Sequence, residues 1–204
     1  MFRSPRRFSV LCFLLLLTLV CLNPVVASAQ TIARCGEGWL EKIDGYYVLH
    51  LKGTHYEMGY QQGVLLKEDV RKNMYNLLNE KGETTLVDLG PVKLKPRQAI
   101  ETVVQIQKPY TPQKYVDEMQ GLAAGAGIAY EDVRATNFIP EMFHCSGFSI
   151  ANSATKDGTL YHGRVLDYAC DWGLQDHAVL VVAEPKGGIP FVNVSYAGFI
   201  GSVT

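Results

Sequence analysis

Apolar positions along this chain fall into three regimes. From Val10 to Leu22 they form one run broken only by Thr18. From Tyr46 to about Ala124 they recur mostly at helical spacing, and after Cys145 they fall into short β-like runs separated by turn residues. Tyr46–Leu51 is aromatic and β-branched and lies between Asp44-Gly45 and Gly53-Thr54, which predicts a short strand. Thr54 followed three residues later by Glu57 is a capping box, opening a helix from Tyr56 to about Leu78 with Met58, Leu65, Leu66 and Val70 on its apolar stripe. Gly59 and Gly63 are four apart on one face, where a second backbone can approach closely. Further helices are expected from Pro96 to about Gln107, from Thr111 to about Ala124, and from Glu131 to Phe138. The run Gly121–Gly127 is glycine-rich for a helix interior and reads as a helix end packed against a neighbour. It follows no strand and has the wrong glycine spacing for a dinucleotide fingerprint.

Beyond Cys145, Phe148–Ala151 and Leu160–Tyr168 are strand candidates around the turn Lys156-Asp157-Gly158. His177–Ala183 and Pro190–Ser195 form a second pair around Pro185–Gly188. The expected division is a helical N-terminal half and a hairpin-rich C-terminal half. The apolar Phe199-Ile200-Gly201 close to Thr204 reads as a chain cut off within a sheet.

The first apolar run has its own meaning. Arg3, Arg6 and Arg7 precede it and Ala27-Ser28-Ala29 follows, the layout of a secretory signal peptide cut after Ala29. The run is short for a bilayer span and Pro24 follows it, so no stable membrane insertion is expected after removal of residues 1–29, and the mature chain is expected to be periplasmic or secreted. Processing removes three of the 19 basic side chains and no acidic one, leaving 16 against 20. Such a mildly acidic protein offers no basic footprint for nucleic acid.

Export also gives the cysteines a context. Of five, Cys35, Cys145 and Cys170 remain, and an odd count in an oxidising compartment leaves one thiol over. A Cys35–Cys170 bridge is one pairing. Cys145 then stands at the change from helical to β character, with Arg164 and Asp167 at 19 and 22 residues downstream. If Cys145 opens a strand whose hairpin partner ends at Arg164–Asp167, the three side chains meet at one sheet end. A guanidinium there favours the thiolate, and a carboxylate can orient an amine or a water. His144, His162 and His177 invite a Cys–His reading, but their spacing matches no metal-ligand pattern, and no cofactor is expected.

Three blocks resemble the penicillin acyltransferase family, self-processing N-terminal-nucleophile (Ntn) hydrolases related in fold to bile-salt and penicillin V amidases. They are Gly53-Thr54-His55-Tyr56-Glu57-Met58-Gly59-Tyr60-Gln61-Gln62-Gly63, then Glu118–Gly127 with Glu131-Asp132 and Asn137, then Cys145-Ser146-Gly147-Phe148 with Asp157-Gly158 and His162-Gly163-Arg164 through Asp167. In this order they span about residues 45–204. The resemblance implies an α+β fold of the Ntn αββα type, with a helical pro-region over 30–144 and an incomplete catalytic domain starting at 145. It implies self-cleavage of the His144–Cys145 bond, after which the new Cys145 amine serves its own thiol as base, with Arg164 and Asp167 in support and the oxyanion donors beyond Thr204. The substrate would be a small amide or related acyl compound, acyl-CoA and lipid included. The rival readings are a phospholipase-B-like lipid acyl hydrolase and a catalytically silent exported ligand-binding protein.

Overall fold

The computed structural model describes residues 29–83, 87–88, 93–142 and 145–200. Most of the signal segment, and His144 with the bond it makes to Cys145, lie outside them.

Two short ribbons pair β4 Val87–Asp88 with β5 Lys93–Leu94 and β6 Ser146–Asn152 with β7 Gly158–Val165, while five strands make one mixed sheet in the order β1-β2-β3-β8-β9: β1 Ala29–Cys35, β2 Gly38–Ile43, β3 Tyr46–Gly53, β8 Ala178–Pro185 and β9 Phe191–Tyr196. Neighbours are antiparallel except β3 and β8, which run parallel in the register Val48↔Leu180 to Gly53↔Pro185. The strands alternate, as a sheet with one covered face requires. Leu40, Leu49, Leu51, Val179, Val181 and Ala183 bury on the inner face, while Val192 and Val194 are exposed on the outer one. The N-terminal half is therefore not simply helical, since it supplies three of the five strands. Its β1 and β2 fall where no strand was expected. β1 is an exposed edge without apolar alternation, so periodicity gave nothing to read.

The inner face is covered by α1 His55–Leu65, α2 Lys67–Tyr75, α4 Gln113–Ala126 and α5 Tyr130–Phe138. A fifth helix, α3 Pro96–Gln107, starts with proline at its first position, where the missing N–H costs nothing. It joins a second apolar cluster of Leu77, Leu78, Val104, Ile139, Leu174 and Phe199. Thr54 caps α1 through the expected box: Glu57 N–H donates to Thr54 Oγ1, and the Thr54 N–H donates to the Glu57 carboxylate at 2.7 Å. The long helix expected to reach Leu78 instead breaks at Leu66, whose backbone leaves helical angles (φ −116°, ψ 28°). A new helix then starts with Glu68 and Asp69 in its first turn, a favourable place for negative charge, and widens into a π-type turn over Asn76–Lys81.

Helices α1 and α4 cross at their glycines. A Cβ on Gly59 would overlap the Glu118 carbonyl oxygen, and one on Gly121 the Tyr56 carbonyl oxygen. Gly63 and Gly125 repeat the contact one turn on, against Leu122 and Tyr60. Gly121–Ala126 thus form the last turns of a helix packed against a neighbour, as expected, and stay helical two residues beyond the expected end at about Ala124. Two backbones in contact repay the propensity lost at each glycine. Helix α4 ends at Gly127 in the left-handed conformation (φ 65°), and Arg71 donates to the Ala126 and Gly127 carbonyls. Near the crossing, His55 and the buried Glu118 carboxylate meet at 2.6 Å; burial pushes Glu118 up against the pull of His55.

Candidate functional site

Cys145 immediately precedes β6 Ser146–Asn152, which pairs antiparallel with β7 Gly158–Val165 in a hairpin separate from the main sheet. Residues opposite one another share a face. The pairs Ser146↔Val165, Phe148↔Gly163 and Ile150↔Tyr161 make one side apolar, with the Phe148 ring lying over Gly163. Gly147↔Arg164 and Ser149↔His162 make the other side polar. Arg164 therefore lies diagonally across from Cys145 at the open end of the hairpin, and the chain turns back toward the sulfur at Asp167.

These neighbours set the state of the thiol. The Arg164 side chain donates to the Cys145 sulfur, the Asp167 backbone N–H also donates to it, and together they hold the exposed thiol below the ordinary cysteine range. The sequence placed Arg164 and Asp167 beside Cys145, and the structure brings all three together. The contact from Asp167 comes from its amide, however; its carboxylate opposes the shift by charge. His162 lies with its Nδ1 2.8 Å from Ser149 Oγ, its opposite number across the hairpin. His177 pairs with Asp69 at 3.1 Å. Cys35 and Cys170 are free thiols rather than a disulfide.

Two residues at the site escaped the sequence reading. Tyr168 is pushed up to about 12 by burial and then by the Cys145 charge, and Tyr196 is raised by the same two causes. Both hydroxyls stay protonated across the physiological range and can act as donors near the sulfur. Tyr168 could have been noticed as the residue after Asp167. Tyr196 sits at the end of β9, and only the fold brings it here.

Both tyrosines line a cavity of about 350 Å³ beside Arg164, with Tyr110, Tyr115, Phe138 and Phe199 among its other walls. The turn after β9 forms one wall, and side-chain amides from three helices hold it. Gln62 donates to the Phe199 carbonyl, Asn73 to the Ala197 carbonyl at 2.8 Å, and Asn137 to the Gly198 carbonyl at 3.0 Å. Asn137 Oδ1 in turn accepts the Ile200 N–H. Buried amides that satisfy backbone groups in this way fix a turn that apolar packing alone would leave loose. Residues from both sides of position 145 thus build one pocket.

No family model matches the chain. Protein dcd1A of Dictyostelium discoideum is 30% identical over an alignment of 185 residues, covering 77% of this chain and 41% of that protein. Its counterpart dcd1B from the same organism is 29% identical, over 77% of this chain and 35% of its own length. An uncharacterized protein of Archaeoglobus fulgidus is 28% identical, over 93% of this chain and 36% of its own length. The chain therefore spans well under half the length of each of these relatives.

Proposed function

We propose that this chain carries the nucleophile of a thiol acyl-transfer enzyme of the Ntn type, with Cys145 as the attacking residue. The observation that carries the reading is the Cys145 sulfur held toward thiolate by the Asp167 amide and by Arg164, itself one wall of an aromatic cavity. A more acidic thiol is a larger fraction nucleophile at neutral pH. In the proposed reaction the sulfur attacks the carbonyl carbon of an amide or related acyl group, and the leaving nitrogen departs with a proton. Water or an amine then attacks the thioester and returns the sulfur. The Tyr168 and Tyr196 rings, both walls of the same cavity as Arg164, would lie against a bound acyl group.

The finer fold belongs to the same proposal. In an αββα sandwich a second sheet covers the outer face of the first. Two apolar surfaces left exposed among the described residues support this layout: Val192 and Val194 on the main sheet, and Phe148, Ile150, Tyr161 and Val165 on the hairpin. Export is proposed from the first 29 residues. Among the described residues no helix is long and apolar enough to cross a membrane.

Self-processing supplies the test. In the proposed step Cys145 Sγ attacks the His144 carbonyl carbon and the amide nitrogen takes up the thiol proton, giving a thioester and a free Cys145 amine. Water then hydrolyses the thioester to a His144 carboxylate and a free thiol. Intact-mass measurement on the full-length protein is expected to show two chains, the second beginning at Cys145, and a single chain for Cys145→Ala. A single uncut wild-type chain that still turns over acyl substrates would rule out the Ntn mechanism.

A further inference from the structure

A second cavity, of about 330 Å³, lies behind the one beside Arg164 and shares the walls Thr111, Met119 and Phe138 with it. Its lining is divided in character. Val104, Val116, Met119 and Phe138 are apolar, whereas Lys108, Arg134, Gln113, Gln120 and the Tyr130 ring add polar groups, and no carboxylate lines it. Arg134 is the unusual member. Its side chain is only 18% exposed, and its Nε is buried with no hydrogen-bond partner among the described residues. A buried guanidinium N–H left in this state is costly unless an acceptor reaches it. The nearest carboxylate, Glu101, stands 4.0 Å from the terminal nitrogen, at the outer limit of an ion pair. The guanidinium also lies over the Tyr130 ring, 5.7 Å from its centroid, which fixes its plane. Of the other nearby acidic groups, Asp117 accepts from the Gln113 amide, Asp132 pairs with Arg97, and Glu131 acts by charge on Tyr130.

We propose that this cavity binds a carboxylate that carries a short apolar chain, with Arg134 and Lys108 receiving the carboxylate and Val104, Val116, Met119 and Phe138 receiving the chain. The planar fork of an arginine matches a carboxylate, and a pocket with few polar groups over an apolar floor is the usual form of a small-molecule site. Because Glu101 offsets part of the Arg134 charge, a monoanion fits better than a dianion such as phosphate. The site does not depend on the chemistry of Cys145. Its position back to back with the first cavity places an acid-binding pocket next to a centre proposed to cleave acyl groups.

Octanoate titrated into the protein and followed by methyl NMR is the direct test. The reporters are Val104 and Val116, which line this cavity and not the first. Saturable shifts of both valines are expected, with binding weakened at least about tenfold by Arg134→Gln and a few-fold by the exposed Lys108→Gln. Arg134→Lys, which keeps the charge, should recover part of the affinity, and Cys145→Ala and Arg164→Gln should leave binding unchanged. Octanol or octylammonium binding as well as octanoate would overturn the proposal. So would inorganic phosphate binding as tightly as octanoate, or loss of the valine shifts in Arg164→Gln. Because none of these outcomes requires a reactive thiol, they stand apart from the fate of the acyl-transfer reading.

Discussion

At Cys145 the quantity that matters is the thiolate fraction at neutral pH, and two donors with different chemistry set it. The Arg164 contribution is a charged hydrogen bond, so Arg164→Met should raise the midpoint of the pH profile for iodoacetamide alkylation and slow the reaction at pH 7 several-fold. Asp167 acts in two opposed ways, its amide lowering the thiol and its carboxylate raising it. Asp167→Asn keeps the amide and removes the charge, so its midpoint should stay put or fall further. A rise with Asp167→Asn would mean that the carboxylate, not the amide, supports the sulfur. This pair was legible in the sequence because Cys145 and Arg164 are neighbours across one hairpin, whose register follows from its turn. Tyr196 was not, since its approach depends on β9 and on amides from Gln62, Asn73 and Asn137 that no local pattern reveals.

Among the elements, legibility tracked how local the deciding physics is. Helix α3 was read to its ends because proline sets its start, and α1 was read at its start because the capping box lies within four residues. The break at Leu66 and the course of α4 through Gly121 and Gly125 depend on partners distant in sequence. The α1–α4 crossing makes a prediction of its own. Gly59→Ala or Gly121→Ala should cost on the order of 3 kcal/mol in denaturant unfolding, because the new methyl meets backbone oxygen that has no rotamer to yield. Ala124→Ser, on the exposed side of the same helix, should change stability little. Equal stability for the glycine variants and this control would mean that the helices do not cross so closely in solution.

For the whole molecule, the first question is where its mature form begins. N-terminal sequencing of exported protein should start at Gln30, and recovery of intact Met1 from membranes would favour an uncleaved anchor instead. The mixed sheet raises a second question about any cut at the 144–145 bond. Strand β3 lies before that bond and β8 after it, and they are hydrogen-bonded along six register pairs from Val48↔Leu180 to Gly53↔Pro185. Asn137, on the earlier side, also holds the backbone at Gly198 and Ile200 on the later side. Scission would therefore nick the particle without releasing a fragment. The two polypeptides should co-elute by size exclusion and part only under denaturant, and once parted neither would hold a complete sheet to refold around. A chain cut in this way would have to fold before it is cut, and damage to the nicked form would be irreversible where damage to the uncut form is not.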